Sequence, residues 1–169
     1  MKMYNLPPLS AAEFVAACHP DGILSPDQGC HQYGLIVQYE DTDAGGIVYH
    51  ARYLNYAERA RTAFLRAGGI HLGERLRSTG EGIIIRQIDA RYHTPAQLHY
   101  HIIVVTRLEQ LKRASLRLTQ DIMSPETGLI FARLLVEGVW VNKKYAPRRL
   151  PDDVQEIITH LSVSEDGAA

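Results

Sequence analysis

The sequence predicts an α+β fold in which a curved, five-stranded antiparallel sheet wraps around one long helix. Three observations predict it. The stretch from about Ala51 to Ala67 is helical in period and apolar on more than one side, so it needs broad cover. One strand-like segment precedes it, and four follow it between Gly82 and Asn142. The later segments are joined by short connections, which favours antiparallel neighbours and a sheet that closes over the helix.

Residues 1–30 read as an N-terminal extension, an appendage or partly ordered arm. Pro7 and Pro8 precede Ser10, an N-cap for a short helix over Ala11 to Ala17. His19-Pro20-Asp21-Gly22 and Ser25-Pro26-Asp27-Gln28-Gly29 are turn-rich. The main domain spans 31–150. From Gln32 to about Tyr39 the apolar Tyr33, Leu35 and Val37 alternate, as in a strand. In the long helix Tyr53, Ala57, Ala60, Phe64 and Ala67 form one stripe, Leu54 and Leu65 widen it, and Gly68-Gly69 ends it. A short helix over Leu72 to Arg77 follows. The remaining strands are expected over Gly82 to His93, Leu98 to Leu108, Ala114 to Met123 and Leu129 to Asn142. Thr94-Pro95-Ala96 breaks the pattern, and Ser124-Pro125-Glu126-Thr127-Gly128 is a hairpin turn. Residues 151–169 form a C-terminal helix and tail: Pro151 suits a first helical position, Val154, Ile157, Ile158 and Leu161 follow, and Ser164 to Ala169 is expected to fray.

Bulk properties exclude several classes. A chain of 169 residues can bury a core without disulfide or metal. A net charge of −1 gives no reason for a nucleic-acid or membrane-surface role. No apolar run is long enough for an integral membrane segment, and the N-terminus is a poor signal peptide, so a cytoplasmic location is expected. Cys18 and Cys30 read as free thiols of a reducing compartment, with a disulfide between them as the alternative. There is no G-x-S-x-G elbow, P-loop or dinucleotide fingerprint, and no cofactor is implied.

The segment Tyr39-Glu40-Asp41-Thr42-Asp43-Ala44-Gly45-Gly46-Ile47-Val48-Tyr49-His50 carries the most chemistry. It puts carboxylates and a Gly-Gly bend directly before the long helix, whose first turn offers unpaired N–H groups and the positive end of the helix dipole. A carboxylate beside such a cradle for a developing oxyanion is a hydrolase site made of one side chain and backbone donors.

From Tyr39 to Arg66 the sequence resembles the YbgC-like acyl-CoA thioesterases, relatives of 4-hydroxybenzoyl-CoA thioesterase in the hotdog superfamily. The resemblance continues through Ile85-Arg86-Gln87-Ile88-Asp89-Ala90-Arg91-Tyr92 and Pro95-Ala96, and more weakly through Lys112-Arg113-Ala114-Ser115 and the last strand. It implies a hotdog fold and a homodimer or homotetramer joined sheet edge to sheet edge, with acyl-CoA sites at the dimer interface. It implies Asp43 as the catalytic carboxylate, acting as nucleophile or as general base on water, without a metal. Asp41 and Thr42 are assigned to shaping the loop, and Gly45 and Gly46 to admitting the acyl group. The resemblance places a backbone donor to the thioester oxygen at His50, with Tyr49 as the adjacent possibility; the His50 ring either orients water and Asp43 or makes a local hydrogen bond. Tyr39 either contacts the site or is a core strand tyrosine. By position Lys112, Arg113 and Ser115 are phosphate contacts for CoA, with Arg86 and Arg91 as further candidates; the other reading is a solvated basic turn.

Other residues have plainer readings. Glu58 is a second candidate acid, but an ion pair with Arg61 at i+3 explains it. His93, His99 and His101 lack the accompanying ligands of a metal site and read as surface or interface histidines. Trp140 reads as core or interface. Two other functions compete with hydrolysis. One is a non-catalytic module binding acyl-CoA or acyl carrier protein in an envelope or lipid-synthesis assembly; the other is a hydratase or dehydratase on the same fold.

Overall fold

The computed structural model describes residues 7–161. The expected frayed tail, Ser164 to Ala169, lies outside the described residues, as does the start of the extension. The elements run α1 (Ala11–Ala17), β1 (Ile23–Ser25), β2 (Cys30–Ile36), α2 (Arg52–Ala67), α3 (Leu72–Thr79), β3 (Gly82–Tyr92), β4 (His101–Leu111), β5 (Ser115–Met123), β6 (Ile130–Val141) and α4 (Asp152–Thr159). All strands lie in one antiparallel sheet in the order β1-β2-β4-β5-β6-β3, with α2 on its inner face. This is the hotdog arrangement.

The sheet has six strands rather than five. The additional strand, β1, is only three residues long, too short for a period to show. It folds back on β2 through a 3₁₀ turn at Pro26–Gln28, with Gly29 in the left-handed region (φ 57°). Residues 7–30 pack on the sheet. Ser10 and Glu13 form a capping box that starts α1, and Phe14 and Ala17 are buried. Ala17 joins Cys30, Ile103 and Val105 in a small cluster on the outer face, and Arg66 of α2 binds Asp21 at 2.6 Å. Pro151 stands just outside α4 as its N-cap rather than at its first helical position.

Helix α2 fits the concave face because its buried stripe alternates bulk with small residues. Tyr53, Tyr56 and Phe64 fill space, while Ala57, Ala60 and Ala63 have no exposed surface and let the sheet approach closely. Its N-terminal half packs with Val37, Val104, Ile122 and Leu134. Its C-terminal half packs with Leu116, Leu118, Trp140 and the α4 residues Val154 and Ile158. At one sheet edge β1 covers β2. At the other, the eleven-residue strand β3 has a neighbour, β6, on one side only, with Ile84 and Ile85 about two-fifths exposed (40% and 37%).

Candidate active site

β2 ends at Ile36, after which Val37 donates its amide to the Tyr100 carbonyl at 3.0 Å and a 3₁₀ turn forms at Tyr39–Asp41. This turn takes Tyr39 out of the sheet. Its side chain is 83% exposed, which corrects the core-strand reading of that residue. Asp41 is the organising residue of the loop. Only 3% exposed, its carboxylate accepts the Gln38 amide at 2.9 Å and lies 3.6 Å from Arg52, while its carbonyl accepts the Tyr49 amide at 2.9 Å. The Tyr56 phenol is buried close by; burial first, and then the Asp41 charge, push its pKa up. Thr42 closes the turn through its hydroxyl, which donates to the Tyr39 carbonyl at 2.9 Å.

Asp43 projects into solvent from the next turn. One carboxylate oxygen accepts the Gly45 amide at 2.7 Å. The backbone turns back at Gly46 (φ 73°), whose amide donates to the Asp43 carbonyl at 3.0 Å. A Cβ at Gly45 would stand 3.1 Å from the Asp43 oxygen, so a side chain there would crowd the carboxylate. The loop is then anchored across the molecule: Val48 donates to the Ala96 carbonyl at 2.9 Å, and the Ala96 amide donates to the Tyr53 hydroxyl at 3.0 Å.

Helix α2 begins without a side-chain cap, and Ala51 occupies the N-cap position. Its N–H groups are therefore left to the backbone and to whatever binds there. The Tyr49 amide is taken by Asp41, whereas the His50 amide makes no hydrogen bond among the described residues. The two readings of that position thus differ: His50 has the free donor, and Tyr49 supplies a half-exposed ring 4.3 Å from the His50 ring. Tyr92, at the end of β3, donates its hydroxyl to the His50 carbonyl at 3.1 Å and presents its ring edge-on to the imidazole. Asp43, Gly45, Gly46, Tyr49 and His50 are together at one end of the sheet, with Tyr39 on its rim.

Lys112, Arg113 and Ser115 are not with them. They form the turn from β4 to β5, where the Lys112 amide donates to the Ser115 carbonyl at 2.8 Å. β4 begins beside the Asp43 loop and runs eleven residues away from it, about 30 Å at the rise of an extended chain. At that far end Arg113 shares an open cleft with Arg148, Arg149 and Glu81. The 147–150 segment is held there by hydrogen bonds from Arg148 to the Trp140 carbonyl and from Leu150 to the Arg113 carbonyl, each 2.9 Å. Arg148 and Arg149 carry no sequence signal that distinguishes them from a solvated basic pair; only the fold sets them against Arg113.

Glu58 forms an ion pair with Arg61. Arg61 is buried and also donates to Gln120 on β5 at 2.6 Å, and Gln120 in turn donates to the Ala57 carbonyl and the Thr106 hydroxyl, each at 3.0 Å. Gln120 lay unnoticed in the sequence because a polar residue at an inward strand position looks like an interruption until its partners appear. His101 binds Glu126 at 2.7 Å and stacks on Phe14. Arg86 pairs with Glu137 across β3 and β6, and Arg91 is exposed. Among the described residues no three His, Cys, Asp or Glu side chains come together as a metal-binding set.

Sheet, helix and loop define a hotdog protein with a carboxylate at the mouth of its central helix. The sequence profile of the Thioesterase-like superfamily matches residues 37–158, and the chain belongs to that family. It is 38% identical over 121 residues to the acyl-CoA thioester hydrolase YbgC of an Escherichia coli strain, covering 70% of this chain and 87% of the relative. The acyl-CoA thioesterase YbgC of Helicobacter pylori is 32% identical over 134 residues, 74% of this chain and 97% of the relative. Among solved structures, a probable thioesterase from Bartonella henselae superposes with a TM-score of 0.67 at 31% identity, covering 72% of this chain and 99% of that one.

Proposed function

We propose that this protein hydrolyses acyl-CoA thioesters to free CoA and a carboxylic acid, with Asp43 as the catalytic carboxylate and the His50 amide as the oxyanion donor. The observation that carries the reading is the pairing of an exposed carboxylate with an amide left unbonded at an uncapped helix start. A donor of that kind is worth about 3 kcal/mol once negative charge builds on the thioester oxygen. Two routes use the same geometry. In one, a carboxylate oxygen of Asp43 attacks the carbonyl carbon, the C–S bond breaks with CoA leaving as thiolate, and water opens the mixed anhydride. In the other, Asp43 takes a proton from water, which attacks directly. The Asp43 oxygen held by the Gly45 amide leaves the second oxygen available for either role.

The site is completed by a second copy of the chain. β3 has an unpaired edge with apolar residues exposed along it, the kind of edge that proteins cover. Antiparallel pairing of β3 with the same strand of a partner joins the two sheets and reverses the direction of the second chain. The Tyr92 end of β3, beside His50, then faces the Gly82 end of the partner's β3. The basic cleft that lies about 30 Å from Asp43 within one chain comes next to the Asp43 of the other. Arginine forks and a lysine there suit the phosphates of CoA, so Lys112, Arg113 and Ser115, joined by Arg148 and Arg149, bind the nucleotide end in trans.

The test is release of free CoA from a panel of acyl-CoAs, with Asp43→Asn beside the wild type. Hydrolysis by the wild type and its loss in the variant is the expected result. Binding of acyl-CoA without turnover at any chain length would favour the binding-module reading instead. A single turnover in ¹⁸O-water identifies an anhydride opened at the Asp43 carbon, because the label then enters the Asp43 carboxyl group and not the product acid, whereas direct attack by water labels the acid and leaves Asp43 unlabelled.

A further inference from the structure

The residue that carries the free amide is held at its other end by a single side chain. Among the described residues the His50 carbonyl accepts no backbone amide, because the first turn of α2 starts one residue later, where Leu54 donates to the Ala51 carbonyl at 3.1 Å. The partner of the His50 carbonyl is the Tyr92 hydroxyl. On the other side the chain is fixed locally, with the Tyr49 amide on the Asp41 carbonyl and the Arg52 amide on the Tyr49 carbonyl at 2.8 Å. His50 therefore stands between a bonded turn and a helix that has not yet begun, and Tyr92 is what ties its carbonyl to the sheet.

Tyr92 is itself firmly placed. It is the last residue of β3 and pairs with Ala132 of β6. The chain beyond it is pinned as well, since His93 and Thr94 both donate to the Phe131 carbonyl, at 2.8 and 3.3 Å. Its ring packs edge-on against two others, with centroids 5.6 Å from the Tyr53 ring and 6.3 Å from the His50 ring. Tyr53 in turn holds the Ala96 amide, and the Ala96 carbonyl holds Val48 of the Asp43 loop. A phenol has one proton to donate. That proton goes to the His50 carbonyl, so the Tyr92 hydroxyl does not itself supply a bond to the thioester oxygen.

We propose that Tyr92 is a positioning residue for the reaction: by holding the His50 carbonyl, its hydroxyl keeps the His50 amide aimed at the thioester oxygen. The proposal rests on the acyl-CoA reading above and extends it to a residue outside the loop and the helix. An oxyanion donor works by being in place before charge develops. A donor that wanders among orientations gives up part of that effect. Deleting such a donor outright costs about 100- to 1,000-fold in kcat, so loosening one should cost less, about tenfold. The loss falls on the transition state and leaves KM where it was.

The experiment compares wild type, Tyr92→Phe and Tyr145→Phe, the last an exposed tyrosine in the turn after β6. It measures kcat and KM for CoA release, and the backbone amide signals of protein ¹⁵N-labelled at its eight histidines, with His50→Gln identifying the signal of His50. Tyr92→Phe keeps the ring and removes only the hydroxyl. The expected result is a fall in kcat of about tenfold, KM within twofold, and a displaced His50 amide signal. Tyr145→Phe should leave all eight signals and both constants unchanged. A kcat for Tyr92→Phe within twofold of wild type would overturn the proposal. So would a fall in kcat with the His50 signal unmoved, or a rise in KM at constant kcat, which marks a direct contact with bound substrate. If the wild type releases no CoA from any thioester, the hydrolase reading fails, and a displaced His50 signal in Tyr92→Phe would still uphold the hold of Tyr92 on His50.

Discussion

Asp41 and Asp43 are two residues apart in sequence and should separate cleanly on substitution, because one is buried in hydrogen bonds and the other is exposed. In Asp43→Asn the replaced oxygen can still accept the Gly45 amide, the one hydrogen bond its side chain makes. An exposed substitution that keeps its bond should move stability by no more than about 0.5 kcal/mol. Activity should fall at least about 100-fold, since an amide can neither attack the thioester nor take a proton from water. Asp41→Asn should do the reverse in kind. The 3%-exposed carboxylate gives up a charge-assisted bond to the Gln38 amide and its attraction to Arg52. A hydrogen bond to a charged group is worth about 2 kcal/mol, which for a chain of this size lowers Tm by about 4–8 °C. Activity should fall as well, because the Asp41 carbonyl that holds the Tyr49 amide, and so leaves His50 as the free donor, loses its support. Thermal melts and CoA-release assays on both variants decide the matter. Asp43→Asn within threefold of wild-type kcat, or with a Tm loss equal to that of Asp41→Asn, would refute the assignment of roles.

Ile84→Lys with Gln87→Lys would place like charges along the open edge of β3 through which we propose that two copies pair; light scattering should report monomer where the wild type is a dimer, with CoA release lost in parallel. Arg113→Ala with Arg149→Ala should raise KM for an acyl-CoA several-fold, more at low salt than at high, and leave an acyl-pantetheine substrate unaffected; equal effects on both substrates would place the nucleotide elsewhere. His31 is fully buried with its Nε2 on the Asp21 carbonyl at 2.7 Å and its Nδ1 unpartnered. Burial holds its pKa below the ordinary value, so the unfolded ring takes up a proton from about pH 6.5 while the folded ring stays neutral. Stability should therefore decline as pH falls below about 6.5, and His31→Gln should flatten that decline in urea melts between pH 7.5 and 5.5.

Much of this molecule was legible in the chain because periodicity and local chemistry speak directly. The capped start of α1 at Ser10, the extent of α2 to within a residue, and the four long strands after Gly80 follow from hydrophobic period, caps and turns. So does the Glu58–Arg61 pair, which needs only helical spacing. β1 did not show, because three residues carry no period, and Tyr39 was drawn into a strand because its alternation continues past Ile36 although the hydrogen bonding stops there.

By itself the sequence determined a helix needing cover, a sheet to supply it, and a loop with a carboxylate next to unpaired amides. Those are local consequences of spacing and backbone geometry. Only the tertiary structure decided which amide is free at the helix start, since Tyr49 loses its own to a carbonyl eight residues upstream. It also decided that the basic turn at Lys112 and Arg113 stands at the opposite end of β4 from Asp43, beside two arginines far along the chain. Distances of that kind are set by how strands of eleven and twelve residues run against each other, and no residue carries that information alone.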